Sequence, residues 1–223
     1  MAASSSWIEG RELAFMTIKT AIWPPQGGAA DRLAALRHVM EVISEKGFAK
    51  TSIGDLRNAA GLGYAALHKA FGTREDILRA AIRSCAETEA LLAYEPLRVS
   101  PTGREAVLAM LEENVRLRRH WPRYCGCLFT SNALIVPAEE NELHEFLVEK
   151  RRTLAKQIRT RLVQTVTEGE LPARVNCEAL ANLCLTLLSG LNVRILDGTP
   201  PALLFRSIEI FVDSLGFRTR RRT

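Results

Sequence analysis

Tyr64, His68 and Lys69 bring a phenol, an imidazole and an ammonium into one short stretch. On a helix starting at Gly63, at 100° per residue, Tyr64, Ala65, His68 and Lys69 share one side. Ala66, Leu67 and Ala70 share the other, small and apolar enough to pack against neighbouring helices. So short a helix is not stable alone, so packing must hold it as a presented surface. Its polar side is rich in hydrogen-bond donors, which suits acceptor-lined base edges and phosphates. Thr51-Ser52 and Thr73-Arg74 open two other helices, where backbone N–H groups are expected to meet phosphate. The same pattern also fits a small three-helix core with solvated polar faces, and periodicity alone does not separate the two.

Other residues also have types that could do chemistry. Cys125-Gly126-Cys127 stands at the head of an expected short helix, where a thiol's pKa falls, and this raises a redox or electrophile-sensor reading. The competing reading is a pair of unreactive, buried thiols. The five cysteines, Cys85, Cys125, Cys127, Cys177 and Cys184, are odd in number with no repeated spacing, so reduced thiols fit better than a disulfide framework. Glu140 and His144 are i, i+4, but two ligands do not make a metal site. No GxSxG, phosphate-binding loop or HExxH occurs, so no enzyme, cofactor or metal is expected.

The elements that position these residues read as helix almost throughout. Leu36, Val39, Met40 and Ile43 make one apolar stripe, ended by Gly47. A second helix carries Ile53, Leu56 and Ala60 and ends at Gly61; the short third spans 63–70 and ends at Gly72. Thr73 caps a long fourth, which Pro96 and Pro101 close. A fifth runs to about Arg119, a sixth lies around 127–136, and a seventh, about 139–168, buries Leu143, Leu147, Leu154, Ile158, Leu162 and Val166. Two apolar helices follow, about 176–196 and 201–215. No period-two alternation suggests a sheet.

Composition bounds the rest. The chain has 223 residues, 47% hydrophobic and 25% charged, as a globular protein does. The net charge of +5 owes most to Arg218, Arg220, Arg221 and Arg222, so composition alone does not argue for nucleic acid. No apolar run is read as reaching the ~20 residues of a membrane span. Residues 1–30 lack a signal-peptide pattern and close on Pro24-Pro25 and Gly27-Gly28; they are read as a leader or disordered extension. The location expected is cytoplasmic, with no membrane partner.

The run "GFAKTSIGDLRNAAGLGYAALHKAFGTREDILRAAI" resembles the DNA-binding region of the tetracycline-repressor (TetR) family. Gly47-Phe48, Thr51-Ser52-Ile53, Asp55-Leu56, Ala59-Ala60-Gly61-Leu62, Ala66-Leu67, Phe71-Gly72 and Arg74-Glu75 fall at the family's intervals. The sequence departs from it at Gly63, where Ser or Thr is common, and at His68, where Tyr is common. The resemblance implies an all-α fold of about nine helices, with a three-helix helix-turn-helix module (31–79) joined by a long helix to a ligand-sensing and dimerisation domain (80–217), then a basic tail (218–223). It implies a homodimeric regulator, a repressor, reading a palindromic operator in double-stranded DNA and released by a small-molecule effector. The DNA-contacting residues implied are Thr51, Ser52, Gly63, Tyr64, Ala65, His68, Lys69 and Arg74. Pocket candidates are Met110, Asn114, Trp121, Tyr124, Phe129, Asn132 and Phe146, each of which also reads as plain core. Leu180, Leu183, Leu187 and Leu191, with Leu204, Ile208, Phe211 and Leu215, are the dimer-interface candidates. Alternatives are a fold-retaining interaction protein without operator binding, or a thiol sensor acting through Cys125 and Cys127.

Overall fold

The computed structural model describes residues 29–120 and 141–218. The expected helix at 127–136 lies outside them, as do Cys125 and Cys127. Nine helices occur among the described residues: α1 (Ala29–Lys46), α2 (Ile53–Ala60), α3 (Tyr64–Phe71), α4 (Arg74–Tyr94), α5 (Pro96–Val99), α6 (Gly103–His120), α7 (Asn141–Thr167), α8 (Cys177–Leu196) and α9 (Pro201–Ser214). The fold is all-α. The single turn α5 was not foreseen: Pro96 and Pro101 read as a plain break, but Pro is well suited to the first helical position and here starts a turn.

Two compact units divide the chain. Among the described residues, the first takes 29–43 and Thr51–Ser84. Val39, Met40 and Ile43 of α1, Leu56 and Ala60 of α2, Leu67 of α3 and Ile77, Leu78 and Ala81 of α4 are buried there. Gly61 joins α2 to α3 at φ 61°, ψ 24°, a left-handed conformation that glycine adopts without penalty. The Gly61 N–H reaches the carbonyls of Arg57 and Asn58, and the Leu62 N–H bonds the Arg57 carbonyl, so the last turn of α2 is closed before the chain departs.

Among the described residues, the second unit takes Ser44–Lys50, 85–120 and 141–218. Its hub is α6, which packs against α5, α7, α8 and α9. That explains why Ala106, Val107, Met110, Leu111 and Val115 are all buried, more of the helix circumference than one partner would cover. The start of α6 is pinned to the end of α7: the Gly103 N–H donates to Glu170 Oε2 at 2.6 Å, and Arg161 Nη2 donates to the Ser100 carbonyl at 3.1 Å. The buried stripe of α7 differs from expectation at its end. Arg161 and Thr165 are buried, while Val166 is only half-buried. Arg161 is accommodated by the Ser100 carbonyl, and Thr165 Oγ1 donates back to the Arg161 carbonyl at 2.7 Å.

The membrane expectation needs correction at α8. Over Cys177–Leu196 it is long and apolar enough to cross a bilayer by composition, with mean hydropathy 1.6 in its most apolar 18 residues. Its packing against α6, α7 and α9 accounts for one side of that apolarity; its other side is exposed and is considered below.

Candidate nucleic-acid interface

The helix α3 has one fully buried side chain, Leu67. Phe71, one turn on, is half-buried beneath the Arg32 guanidinium, 4.5 Å from the ring centroid. Arg32 Nη1 also donates to the Ala70 carbonyl at 2.6 Å, tying α1 to the last turn of α3. The expected inward trio is therefore corrected: Ala66 and Ala70 are exposed, and Leu67 is the anchor. An eight-residue helix resting on one leucine leaves most of its circumference outside.

Gly63, Tyr64, Ala65, His68 and Lys69 are all exposed on that circumference, Tyr64 by 60%. The rings of Tyr64 and His68, at i and i+4, stack with centroids 6.4 Å apart and planes at 27°. Gly63 caps α3 without a side-chain hydrogen bond. A recess of about 340 Å³ lies among Ile53, Tyr64, His68, Gly72, Thr73 and Arg74, so the starts of α2, α3 and α4 converge on one spot.

The helix starts expected to meet phosphate have partners of their own. Thr51 is fully buried, and its carbonyl accepts from Arg74 Nε at 2.6 Å. Arg74 is thereby committed to holding α4 against the start of α2, with Nη1 bonded to Glu75 Oε1 at 2.7 Å. Ser52 is exposed, but its Oγ accepts from the Asp55 N–H at 3.2 Å while Asp55 Oδ2 accepts from the Ser52 N–H at 2.9 Å. The same reciprocal box recurs at α4, with the Asp76 N–H donating to Thr73 Oγ1 at 3.2 Å and the Thr73 N–H to Asp76 Oδ2 at 2.9 Å. At each helix start the Ser52 or Thr73 N–H is spent on the aspartate, and the aspartate's own N–H on the capping hydroxyl. Sequence reasoning missed Arg32 and the capping roles of Asp55 and Asp76; the S-x-x-D and T-x-x-D spacings were the available signal for the two aspartates.

The Thr73 hydroxyl and N–H hold the Asp76 carboxyl below the ordinary aspartate value. A depressed folded pKa means the box contributes above the unfolded pKa and fades as pH falls through the folded one. Carboxyl-carbon NMR should place Asp76 below an ordinary aspartate, and Thr73→Ala should return it upward; no movement would remove Thr73 as the cause.

The chain is similar to known proteins over both units. Residues 36–81 match the family described as "Bacterial regulatory proteins, tetR family", and residues 103–204 match "Tetracyclin repressor-like, C-terminal domain". The chain belongs to the TetR family. It is a helix-turn-helix DNA-binding transcriptional regulator, in a family of regulators rather than enzymes. The HTH-type transcriptional repressor ComR of Escherichia coli K12 is 24% identical over 173 residues, covering 75% of this chain and 80% of ComR. CifR, a TetR family regulator solved with 26-bp double-strand operator DNA, is 26% identical at TM-score 0.73, covering 86% of this chain and 99% of that one. Bacillus subtilis FadR, solved with stearoyl-CoA, shares the fold at TM-score 0.66 and 14% identity, over 82% of this chain and 97% of that one.

Within this TetR-family chain the remaining candidates fall as follows. Met110 and Asn114 are fully buried on α6, and Asn114 Nδ2 donates to Asn192 Oδ1 on α8 at 2.7 Å. Phe146 is half-buried on α7, with the Lys150 ammonium 5.1 Å from its ring centroid. Trp121, Tyr124, Phe129 and Asn132 lie outside the described residues. Leu180, Leu191, Leu204 and Ile208 are buried within their own subunit, so they are corrected from interface to core. Leu183 is 49% exposed, and Leu187, Phe211 and Leu215 are half-buried. The outward apolar residues that the sequence reading left out are Val193 and Leu196 on α8 and Leu203 and Ile210 on α9. Of the described cysteines, Cys85 and Cys184 are buried. Burial pushes the Cys184 thiol up to about 12, which keeps it protonated at neutral pH.

Proposed function

We propose that two copies of this chain form a cytoplasmic repressor, each copy using residues 31–79 to read one half of a palindromic operator. The observation that carries this reading is α3 itself: Tyr64, His68 and Lys69 stand outward on a helix anchored by Leu67. A three-helix arrangement presenting a short polar helix is suited to the major groove. The repressor name of ComR and the operator-bound state of CifR support it. Direct contacts are assigned to Gly63, Tyr64, Ala65, His68 and Lys69, with Ser52 beside them. Thr51 and Arg74 act beneath, holding the starts of α2 and α4 together.

Dimerisation is assigned to the outer faces of α8 and α9 within residues 80–217. Ala179, Leu183, Leu187, Gly190 and Val193 recur at the spacing of one helical face, and Leu203 and Ile210 share a face on α9. Such a stripe, left uncovered by its own subunit, is suited to an isologous contact. An effector would bind inside the helical domain. Asn114 Oδ1 is buried without a hydrogen-bond partner, an acceptor available to a ligand donor. A coupling of ~1–3 kcal/mol between effector and operator gives a 5–150-fold loss of affinity.

One experiment tests the reading: selecting fragments that the purified protein retains from random duplexes. The expected product is a palindrome with half-sites a turn apart, ~34–36 Å. Tyr64→Ala should change base preference at defined positions. Lys69→Ala should weaken binding to all sequences and reduce the slope of log affinity against log salt by about 1. Retention of nothing, even at low ionic strength, would leave an interaction protein that keeps the fold without reading DNA.

A further inference from the structure

A recess of about 440 Å³ lies between the end of α4, the turn α5 and the middle of α7, wholly within the second unit. Helix α7 lines it with Thr153, Lys156, Gln157, Thr160, Arg161 and Gln164. Their spacing of i, i+3, i+4, i+7, i+8 and i+11 is that of one helix face, the pattern by which a helix ordinarily offers an apolar stripe to a neighbour. Here every position is polar and every side chain carries a donor. The core stripe of Leu147, Leu154, Ile158 and Leu162 is turned about a third of the way round the helix, so the six are not a displaced piece of core.

The charges in the recess are unequal. Glu95 is its one carboxylate, and it is ion-paired to Arg98. Arg161 braces the wall through the Ser100 carbonyl, with Nη1 3.9 Å from Glu168 Oε2, and Gln164 Nε2 donates to Glu168 Oε1 at 2.9 Å. Lys156 is exposed and makes no ion pair among the described residues. Neither Thr153, Gln157 nor Thr160 makes a side-chain hydrogen bond among them. An ammonium, two hydroxyls and a carboxamide thus face one opening without an anion of their own.

We propose that this recess binds a small organic molecule through a phosphate group, held by Lys156, Gln157 and Thr160, with Thr153, about 10 Å along α7 from Thr160, left to donate to the organic body. A phosphate presents several acceptor oxygens in a compact anion, and Lys156, Gln157 and Thr160 lie close enough along α7, within about 6 Å of axis, to donate to one such group, with the ammonium supplying the opposite charge. The volume lies within the ~300–1,000 Å³ typical of ligand sites and exceeds what a phosphate ion alone fills. The organic body rests on Leu97 and the aliphatic stems of Arg98 and Lys156. Neither Asn114, Asn192 nor any residue of α3 lines the recess, so the proposal does not depend on the operator reading.

The test is calorimetric titration of the full chain with ribose 5-phosphate and with inorganic phosphate, ionic strength held constant with sodium chloride. Saturable binding is expected for both, tighter for the ester. Lys156→Gln and Thr160→Ala, both at exposed positions that leave the fold intact, should each weaken it about tenfold or more. Arg152→Gln, on the same helix but outside the recess and paired to Glu149, should leave it unchanged. Absence of saturation with both probes overturns the proposal, as does an Arg152→Gln loss equal to that of Lys156→Gln, which would mean diffuse charge attraction. Equal affinity for the two probes overturns the organic occupant.

Discussion

Gly103→Ala should unfold the second unit at a markedly lower temperature. A Cβ at Gly103 would lie 2.1 Å from Thr165 Oγ1, 2.2 Å from its Cγ2 and 2.7 Å from its Cβ. Rotating the Thr165 side chain moves the first two atoms but not the third. Thr165 is fully buried, so it has no solvent side to retreat into. The backbone must then part, and the bond it endangers is the 2.6 Å contact from the Gly103 N–H to Glu170 Oε2. Glu170 is buried, and its Oε1 already lacks a hydrogen-bond partner, so the carboxylate has no alternative donor at hand. Overpacking costs typically ~1–3 kcal/mol, and losing a hydrogen bond to a charged group adds ~1.5–3. A total of about 3–5 kcal/mol corresponds to a fall of roughly 6–20 °C for a chain of this size. Calorimetry of the variant measures it. Thr165→Gly, harmful alone, should recover part of the loss when combined with Gly103→Ala, because it removes the Cβ that blocks the turn. A Gly103→Ala protein melting with the wild type would mean that α6 and α7 do not approach this closely.

The close approach at Gly103 was invisible in the sequence, where that glycine reads only as the residue after Pro101-Thr102. What was legible came from local punctuation. Gly61 and Gly72 mark the ends of α2 and α3, because each needs a positive φ there. The 3.6-residue stripe of Leu36, Val39, Met40 and Ile43 announced α1, and all four are buried. The resemblance carried the reading from helices to a helix-turn-helix regulator. Facing is where reading failed, since periodicity gives the width of an apolar surface without saying what covers it. On α8 the wide stripe is two stripes: Leu180, Leu188 and Leu191 face their own subunit, while Leu183 and Val193 face outward. Thr51 was misplaced for a related reason. Thr and Ser are equally good caps, and only the fold reveals that Ser52 caps while Thr51 is buried beneath Arg74.

Leu67→Ala should abolish most operator binding without touching a DNA-facing atom. At eight residues α3 is below the ~12–15 needed for marginal stability in water, so tertiary contact must supply its order. That contact is concentrated in Leu67, fully buried, with Phe71 and the Arg32 bond to the Ala70 carbonyl as the remaining support. Removing a buried leucine costs ~2–5 kcal/mol, and each 1.4 kcal/mol is tenfold in a population. The loss falls on the unbound protein, where α3 frays; bound protein must refold it at the expense of affinity. A decrease of about tenfold or more is expected, together with faster amide exchange at Leu67 and Gly72, whose N–H groups bond the Gly63 and His68 carbonyls. Leu67→Met, which keeps the volume, should cost less than ~1.5 kcal/mol and retain binding. The salt dependence separates this variant from a contact mutant. Once bound, Leu67→Ala neutralises the same phosphates, so its slope of log affinity against log salt should equal the wild type's, whereas Lys69→Ala should lower it. If Leu67→Ala binds operator as the parent does, α3 is not the element that reads DNA, and the outward Tyr64, His68 and Lys69 face solvent for some other reason.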